Sequence, residues 1–164
     1  MAETRGTTEL RKAGIDHRLM AYPYAGGGGA AAERAAEALD VSPARMFKSL
    51  VARAGDDLVF ALLPATSELS LKKLAAAAGA KQARMAGPRD AERATGYQIG
   101  GISPLGSKRR LRVFLDASAL DHDRICLNAG GRGAIVEVAT GRLIAVIDAA
   151  TVDLAAAGSG VDHE

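Results

Sequence analysis

Tryptophan is absent from this chain, cysteine occurs once, and aromatic side chains make up only 4% of its 164 residues. The lone Cys126 cannot close an internal disulfide, and no Cys-x-x-Cys pair is present for zinc or dithiol redox chemistry, so a reducing compartment is expected. No uncharged apolar run approaches the ~18 residues that cross a bilayer, and the opening MAETRGTTELRKAG lacks the apolar middle of a secretion signal. The expectation is a soluble, cytoplasmic protein. An excess of one charge is missing too: 21 Lys and Arg stand against 19 Asp and Glu, and this near balance excludes a disordered polyelectrolyte. The histidines His17, His122 and His163 have no metal-ligand spacing, so no metal or cofactor is expected. Ser103 lies outside any Gly-x-Ser-x-Gly and has no evident His-Asp pair, which argues against an ordinary hydrolase triad.

What is present is aliphatic. Hydrophobic residues reach 48%, but 35 positions are Ala, so Val, Leu and Ile must fill the core. The length suits a single domain, expected over residues 1–154 with a flexible tail at 155–164. A helix over 7–13 stops at Gly14 and leads into alternating residues around His17 to Ala21 that read as a strand. The tetraglycine run 26–29 reads as a mobile loop, and 30–39 as a helix. Segments 47–52 and 58–63, separated by Gly55-Asp56-Asp57, read as an antiparallel hairpin. Ser70 caps a helix over 71–78 that ends at Gly79, and Pro88 opens another through Ala94, ending at Gly96. Short strands follow at 112–115, 124–127 and 135–138, then a helix at 140–146. This mixed order predicts α+β rather than repeating βαβ units.

Three constellations could carry chemistry. Lys48 sits in a segment that otherwise wants burial: either its stem snorkels from an edge strand, or its ammonium faces a cleft where it meets an anion. The stretch from Thr95 to Gly106, TGYQIGGISPLG, has the glycine density for backbone amides to converge on one oxygen, or simply for a multi-turn connection. Lys108, Arg109, Arg110 and Arg112 follow it, suited either to nucleic-acid phosphates or to a solvated hairpin. Cys126 alternates within a strand and reads as a small core residue.

Phe47-Lys48-Ser49-Leu50, Leu63-Pro64-Ala65, ELSLKKL at 68–74 and above all TGYQIGGISPLG at 95–106 closely resemble the YbaK/EbsC family, related to the editing domain of bacterial prolyl-tRNA synthetases. The resemblance implies a compact α+β domain with a mixed, partly barrel-like sheet. It also implies a trans-editing deacylase that clears mischarged tRNA, most characteristically Cys-tRNA(Pro), through thiol-assisted or water-mediated cleavage of the ester. By the same resemblance Lys48, Gly100 and Gly101 form the catalytic centre. Tyr22, Tyr97, Ile102, Ser103, Pro104 and Asn128 are then expected to bind substrate, while the basic run Lys108, Arg109, Arg110 and Arg112 is expected, from its clustered charge, to contact the tRNA backbone weakly. The 3′ end of aminoacyl-tRNA is the implied partner, with prolyl-tRNA synthetase as a second. Departures from the Cys-specific pattern at Asn128, Ile135 and Ala31 bear on which amino acid is removed. The competing readings are a deacylase for Ala- or Ser-type errors and a non-catalytic module that binds tRNA ends or a synthetase.

Overall fold

The computed structural model describes residues 3–26 and 30–158. Helix α1 (Arg5–Lys12) opens two residues before its expected start, because Thr4 and Thr7 cap each other: Thr7 N–H donates to Thr4 Oγ1 at 3.0 Å and Thr4 N–H to Thr7 Oγ1 at 2.8 Å. Strand β1 (His17–Ala21) and helix α2 (Ala31–Ala38) lie where the pattern places them. Of the glycine run between them, residues 27–29 fall outside the described residues.

Strands β2 (Phe47–Ala54) and β3 (Asp57–Pro64) form the expected hairpin, with Phe47 opposite Pro64 and Ala54 opposite Asp57. Helix α3 (Leu71–Ala78) is capped by Ser70 and closed by Gly79 in the left-handed region; helix α4 (Pro88–Thr95) is closed the same way by Gly96. Strands β5 (Arg112–Asp116), β6 (Arg124–Asn128) and β7 (Ala134–Ala139), then helix α5 (Thr140–Ile147), complete the elements expected from periodicity. Two strands were not foreseen, β4 (Ala83–Met85) and β8 (Ala149–Val152). Both are too short to show an alternation of their own, and long-range pairing defines them.

The larger sheet has the order β4-β2-β3-β5-β8, with β3, β5 and β8 mutually parallel and the hairpin antiparallel; the smaller has the order β1-β7-β6, antiparallel throughout. A parallel bridge between Met46 and Cys126 joins the larger, mixed sheet to the smaller one. All three phenylalanines, Phe47, Phe60 and Phe114, are buried among leucines, isoleucines and valines, as an aliphatic core requires. Of the residues expected as a tail, 155–158 are described, and Leu69 bridges Ala155. Residues 159–164, including His163, lie outside the described residues. No helix among the described residues is long and apolar enough to cross a membrane.

Candidate active site

Strand β4 pairs with β2 across Ala52–Ala54, and Ala86 N–H donates to Val51 O at 3.1 Å, so β4 leaves the Phe47–Leu50 half of that edge open, and a cavity of about 240 Å³ opens against it. Helix α2 supplies Ala31, Ala32 and Ala35 to its wall, α4 supplies Ala91, β6 and β7 supply Asn128 and Ile135, and the glycine-rich loop supplies Ile99, Gly100 and Ile102. Every charged group but one is absent from this lining. Lys48 is that one, half-buried, with no ion pair or hydrogen bond to another described residue. An ammonium partly stripped of water and left without a counter-charge is held ready for an anion.

The loop owes its course to its glycines and to the β6–β7 turn. Gly100 has φ +94°, and the hydroxyl of Tyr24 occupies the place a Cβ would take; a Cβ on Gly101 would lie 2.6 Å from the Gly131 carbonyl carbon. Arg132 Nε donates to Ile99 O at 3.0 Å, Asn128 Nδ2 to Gly100 O at 3.3 Å, and Gly131 N–H to Gly101 O at 2.8 Å. Gly101 N–H donates back to Gln98 O at 2.8 Å, whereas the amides of Gly100 and Ile102 donate to no group among the described residues. Those two amides, one lysine and an apolar wall can stabilise an oxygen that gains negative charge.

The structure thus brings together Lys48, Gly100, Tyr22, Ile102 and Asn128 in one cavity. Other expected residues have different places. Gly101 lies behind the lining with its N–H engaged, so it orients the loop rather than facing the cavity. Tyr97 is buried: its hydroxyl donates to Leu105 O at 2.6 Å, the Arg5 guanidinium lies 4.4 Å from its ring centroid, and burial pushes its phenol up. Ser103 is wholly buried, its Oγ accepting from Leu105 N–H at 3.1 Å. Pro104 lines a separate small depression with Glu9 and Phe60. Asn128 has both ends of its amide engaged, since Oδ1 also accepts from Gly130 N–H at 2.6 Å, so it clamps the loop. Cys126 is fully buried, and desolvation pushes its thiol up to about 11, as a core residue rather than a nucleophile.

None of the basic run lines this cavity. Arg109, Arg110 and Arg112 border a shallow groove with Arg53, Asp56 and Asp57, while Arg110 pairs with Glu9 at 3.4 Å and the Arg112 guanidinium lies over Phe114 at 4.8 Å. Lys108 and Arg109 are exposed and without side-chain partners among the described residues. Met46, Ala91 and Tyr24 were not singled out by sequence reasoning, whereas Arg132, in Gly130-Gly131-Arg132-Gly133, stood out only as a weaker case of a cation suited to phosphates. Of those three, Tyr24 had the one available signal, as the second tyrosine of Tyr22-Pro23-Tyr24. Among the described residues, no group of three or more His, Cys, Asp or Glu could hold a metal ion.

Residues 27–146, which include the cavity lining except Tyr22, match the model of the aminoacyl-tRNA editing domain. The chain is 40% identical over 111 residues to a protein of Enterococcus faecalis provisionally named Cys-tRNA(Pro)/Cys-tRNA(Cys) deacylase EbsC, a match spanning 66% of each, just under two thirds of the relative's length. It is 31% identical over 121 residues to the proline–tRNA ligase of Heliobacterium modesticaldum, covering 73% of this chain and 21% of that one. A crystal structure provisionally described as a trans-editing enzyme for prolyl-tRNA synthetase superimposes with a TM-score of 0.81 at 25% identity, over 93% of this chain and 95% of the other. With the family model covering most of its length and the same sheets enclosing the matched residues, the chain belongs to the aminoacyl-tRNA editing domain family.

Proposed function

We propose that this protein is an aminoacyl-tRNA deacylase acting in trans on mischarged tRNA, with Cys-tRNA(Pro) its foremost substrate. The observation that carries this reading is the meeting, in one apolar cavity, of an unpaired Lys48 with the unclaimed amides of Gly100 and Ile102. Ester cleavage puts negative charge on the carbonyl oxygen as a nucleophile bonds to the carbonyl carbon, and donors already fixed in place stabilise that charge without reorganising. The bond to the ribose oxygen of the terminal adenosine then breaks, and that oxygen takes up a proton. Lys48 supplies the positive charge nearest the acyl-adenosine end, either to the developing oxyanion or to the terminal phosphate.

Ser49 lines the cavity, but its buried Oγ has no base or other hydrogen-bond partner among the described residues to activate it, and Cys126 lies outside the lining, which suits a substrate that brings its own thiol, or an attacking water. The wall of Ala31, Ala32, Ala35 and Ile135 is small and apolar and favours a small side chain. The same wall keeps Ala-tRNA(Pro) in view as a competing substrate. One domain of this size covers little of a tRNA, so a prolyl-tRNA synthetase supplying tRNA identity is part of the proposal.

The test is release of amino acid from Cys-tRNA(Pro), Ala-tRNA(Pro) and Pro-tRNA(Pro) by the protein and by Lys48→Ala. Release from one mischarged tRNA, lost by on the order of 100-fold or more in the variant, is the expected result. Equal release by both proteins would remove Lys48 from the mechanism. tRNA binding without release from any of the three would point to a non-catalytic binding module.

A further inference from the structure

The β6–β7 turn meets the glycine-rich loop along one side and takes three consecutive carbonyls: Ile99 O from Arg132 Nε, Gly100 O from Asn128 Nδ2 and Gly101 O from Gly131 N–H. The peptide bonds here are trans, and in a trans unit the C=O and the following N–H point in opposite directions. Turning the carbonyls toward the β6–β7 turn therefore turns the N–H groups of Gly100, Gly101 and Ile102 away from it. The Gly101 N–H is taken by Gln98 O, and the other two belong to residues of the cavity wall. Unclaimed amides on successive turns of a glycine-rich loop are the donors from which an anion-binding concavity is built.

The three clamps differ in what they hold. Gly131 acts through its backbone, and Asn128 holds the peptide unit whose N–H is already engaged. Arg132 holds the unit that carries the Gly100 N–H. Its guanidinium also lies over the ring of Tyr24 at 5.2 Å, and the Tyr24 hydroxyl fills the space against Gly100 that a Cβ would need. Arg132 thus grips the carbonyl side of this peptide while steadying the ring packed against its α-carbon.

We propose that Arg132 is a positioning residue for the deacylation: its Nε hydrogen bond to Ile99 O aims the Gly100 amide into the cavity. There the amide receives the charge that shifts onto the ester carbonyl oxygen as the nucleophile adds and before the ribose oxygen leaves. Arg132 is exposed, is outside the cavity lining, and acts through the loop. The inference rests on the deacylase reading above.

Three substitutions separate the placed donor from the charge. In Arg132→Gln the Nε2 lies as many bonds from Cα as the arginine Nε, so the donor stays in place and the charge goes. Arg132→Lys keeps the charge and moves the donor one bond outward. Arg132→Ala removes both. Steady-state deacylation should show kcat lower by on the order of tenfold in Arg132→Ala with KM changed by less than about twofold, because a misaimed oxyanion donor weakens the transition state rather than binding. Arg132→Gln should recover most of that loss and Arg132→Lys little of it.

In the unliganded protein, the amide ¹H–¹⁵N resonances of Gly100 and Ile102 should shift in Arg132→Ala and stay close to wild type in Arg132→Gln. A kcat for Arg132→Ala within about twofold of wild type would overturn the proposal. So would recovery by Lys but not by Gln, which would make Arg132 a cation for the tRNA. A wild-type protein inactive on every charged tRNA would strike the deacylase reading instead, and the amide resonances would still judge whether Arg132 sets the loop.

Discussion

Gly101→Ala tests the packing on which the site depends, because its consequence can be worked from distances. The added Cβ would lie 2.6 Å from the Gly131 carbonyl carbon, 2.7 Å from Arg132 N and 2.8 Å from Gly131 Cα, all backbone atoms that cannot rotate aside. Carbon atoms rest comfortably at about 3.5 Å or more, so the loop and the β6–β7 turn must separate by roughly 0.9 Å. The Gly131 N–H to Gly101 O bond, 2.8 Å in the native protein, would then stretch past useful length. Losing that bond costs about 1 kcal/mol and overpacking about 1–3 kcal/mol, a total near 2–4 kcal/mol. For a chain of this size the melting temperature should drop by roughly 5–15 °C. A shift of the Gly100 and Ile102 amides by nearly an ångström should lower kcat by up to about 100-fold in the protein that remains folded. Thermal unfolding followed by circular dichroism, with deacylation measured well below the transition, reads both quantities. A variant melting within about 2 °C of wild type at full activity would refute the claim that this contact sets the loop.

Gly141→Ala is the opposite case: nothing lies within 4 Å of the added Cβ in α5, so the melting temperature should rise, by about 0.5 kcal/mol of stability. Lys48→Ala should leave the melting temperature within about 2 °C of wild type, since no ion pair is lost, while deacylation collapses. Native Cys126 should resist iodoacetamide at pH 8 and react once the chain is unfolded by guanidinium; rapid native labelling would contradict its burial. Because the folded thiol is held near 11 against a reference value of 9.0, its contribution to stability is complete below pH 9 and lost as pH rises through 11. Denaturant midpoints of wild type and Cys126→Ala should therefore converge as the pH rises over that interval. Replacing Lys108 and Arg109 by Gln should flatten the salt dependence of tRNA binding by about one to two units of slope; an unchanged slope would detach these residues from tRNA.

Punctuation made most elements legible. Ser70 and Gly79, Pro88 and Gly96, and the Gly55-Asp56-Asp57 turn each act on the few residues beside them, and each stands where its chemistry predicts. Lys48 and Gly100 were legible as well, because a cation within an apolar strand and a dense glycine run conflict with local burial and regularity. Tyr97 was read as a pocket tyrosine because it belongs to the glycine motif, yet it closes on Leu105 O and packs inside. Tyr24, whose neighbour Tyr22 drew the attention, is the tyrosine that meets Gly100.

Composition and local pattern by themselves determined the α+β class, the aliphatic core, the element ends and the family resemblance, all of which depend on residues close in sequence. Tertiary structure alone decided that β4 stops short and leaves half of β2 open, and that β8 exists at all. It also decided that Asn128, Gly131 and Arg132 hold carbonyls about thirty positions earlier in the chain. Those contacts cost loop-closure entropy that no local propensity records, and they form only because the two sheets, once packed, bring the turn and the loop within hydrogen-bond reach. Which amides remain unclaimed, and hence where an anion can be stabilised, is set by that packing.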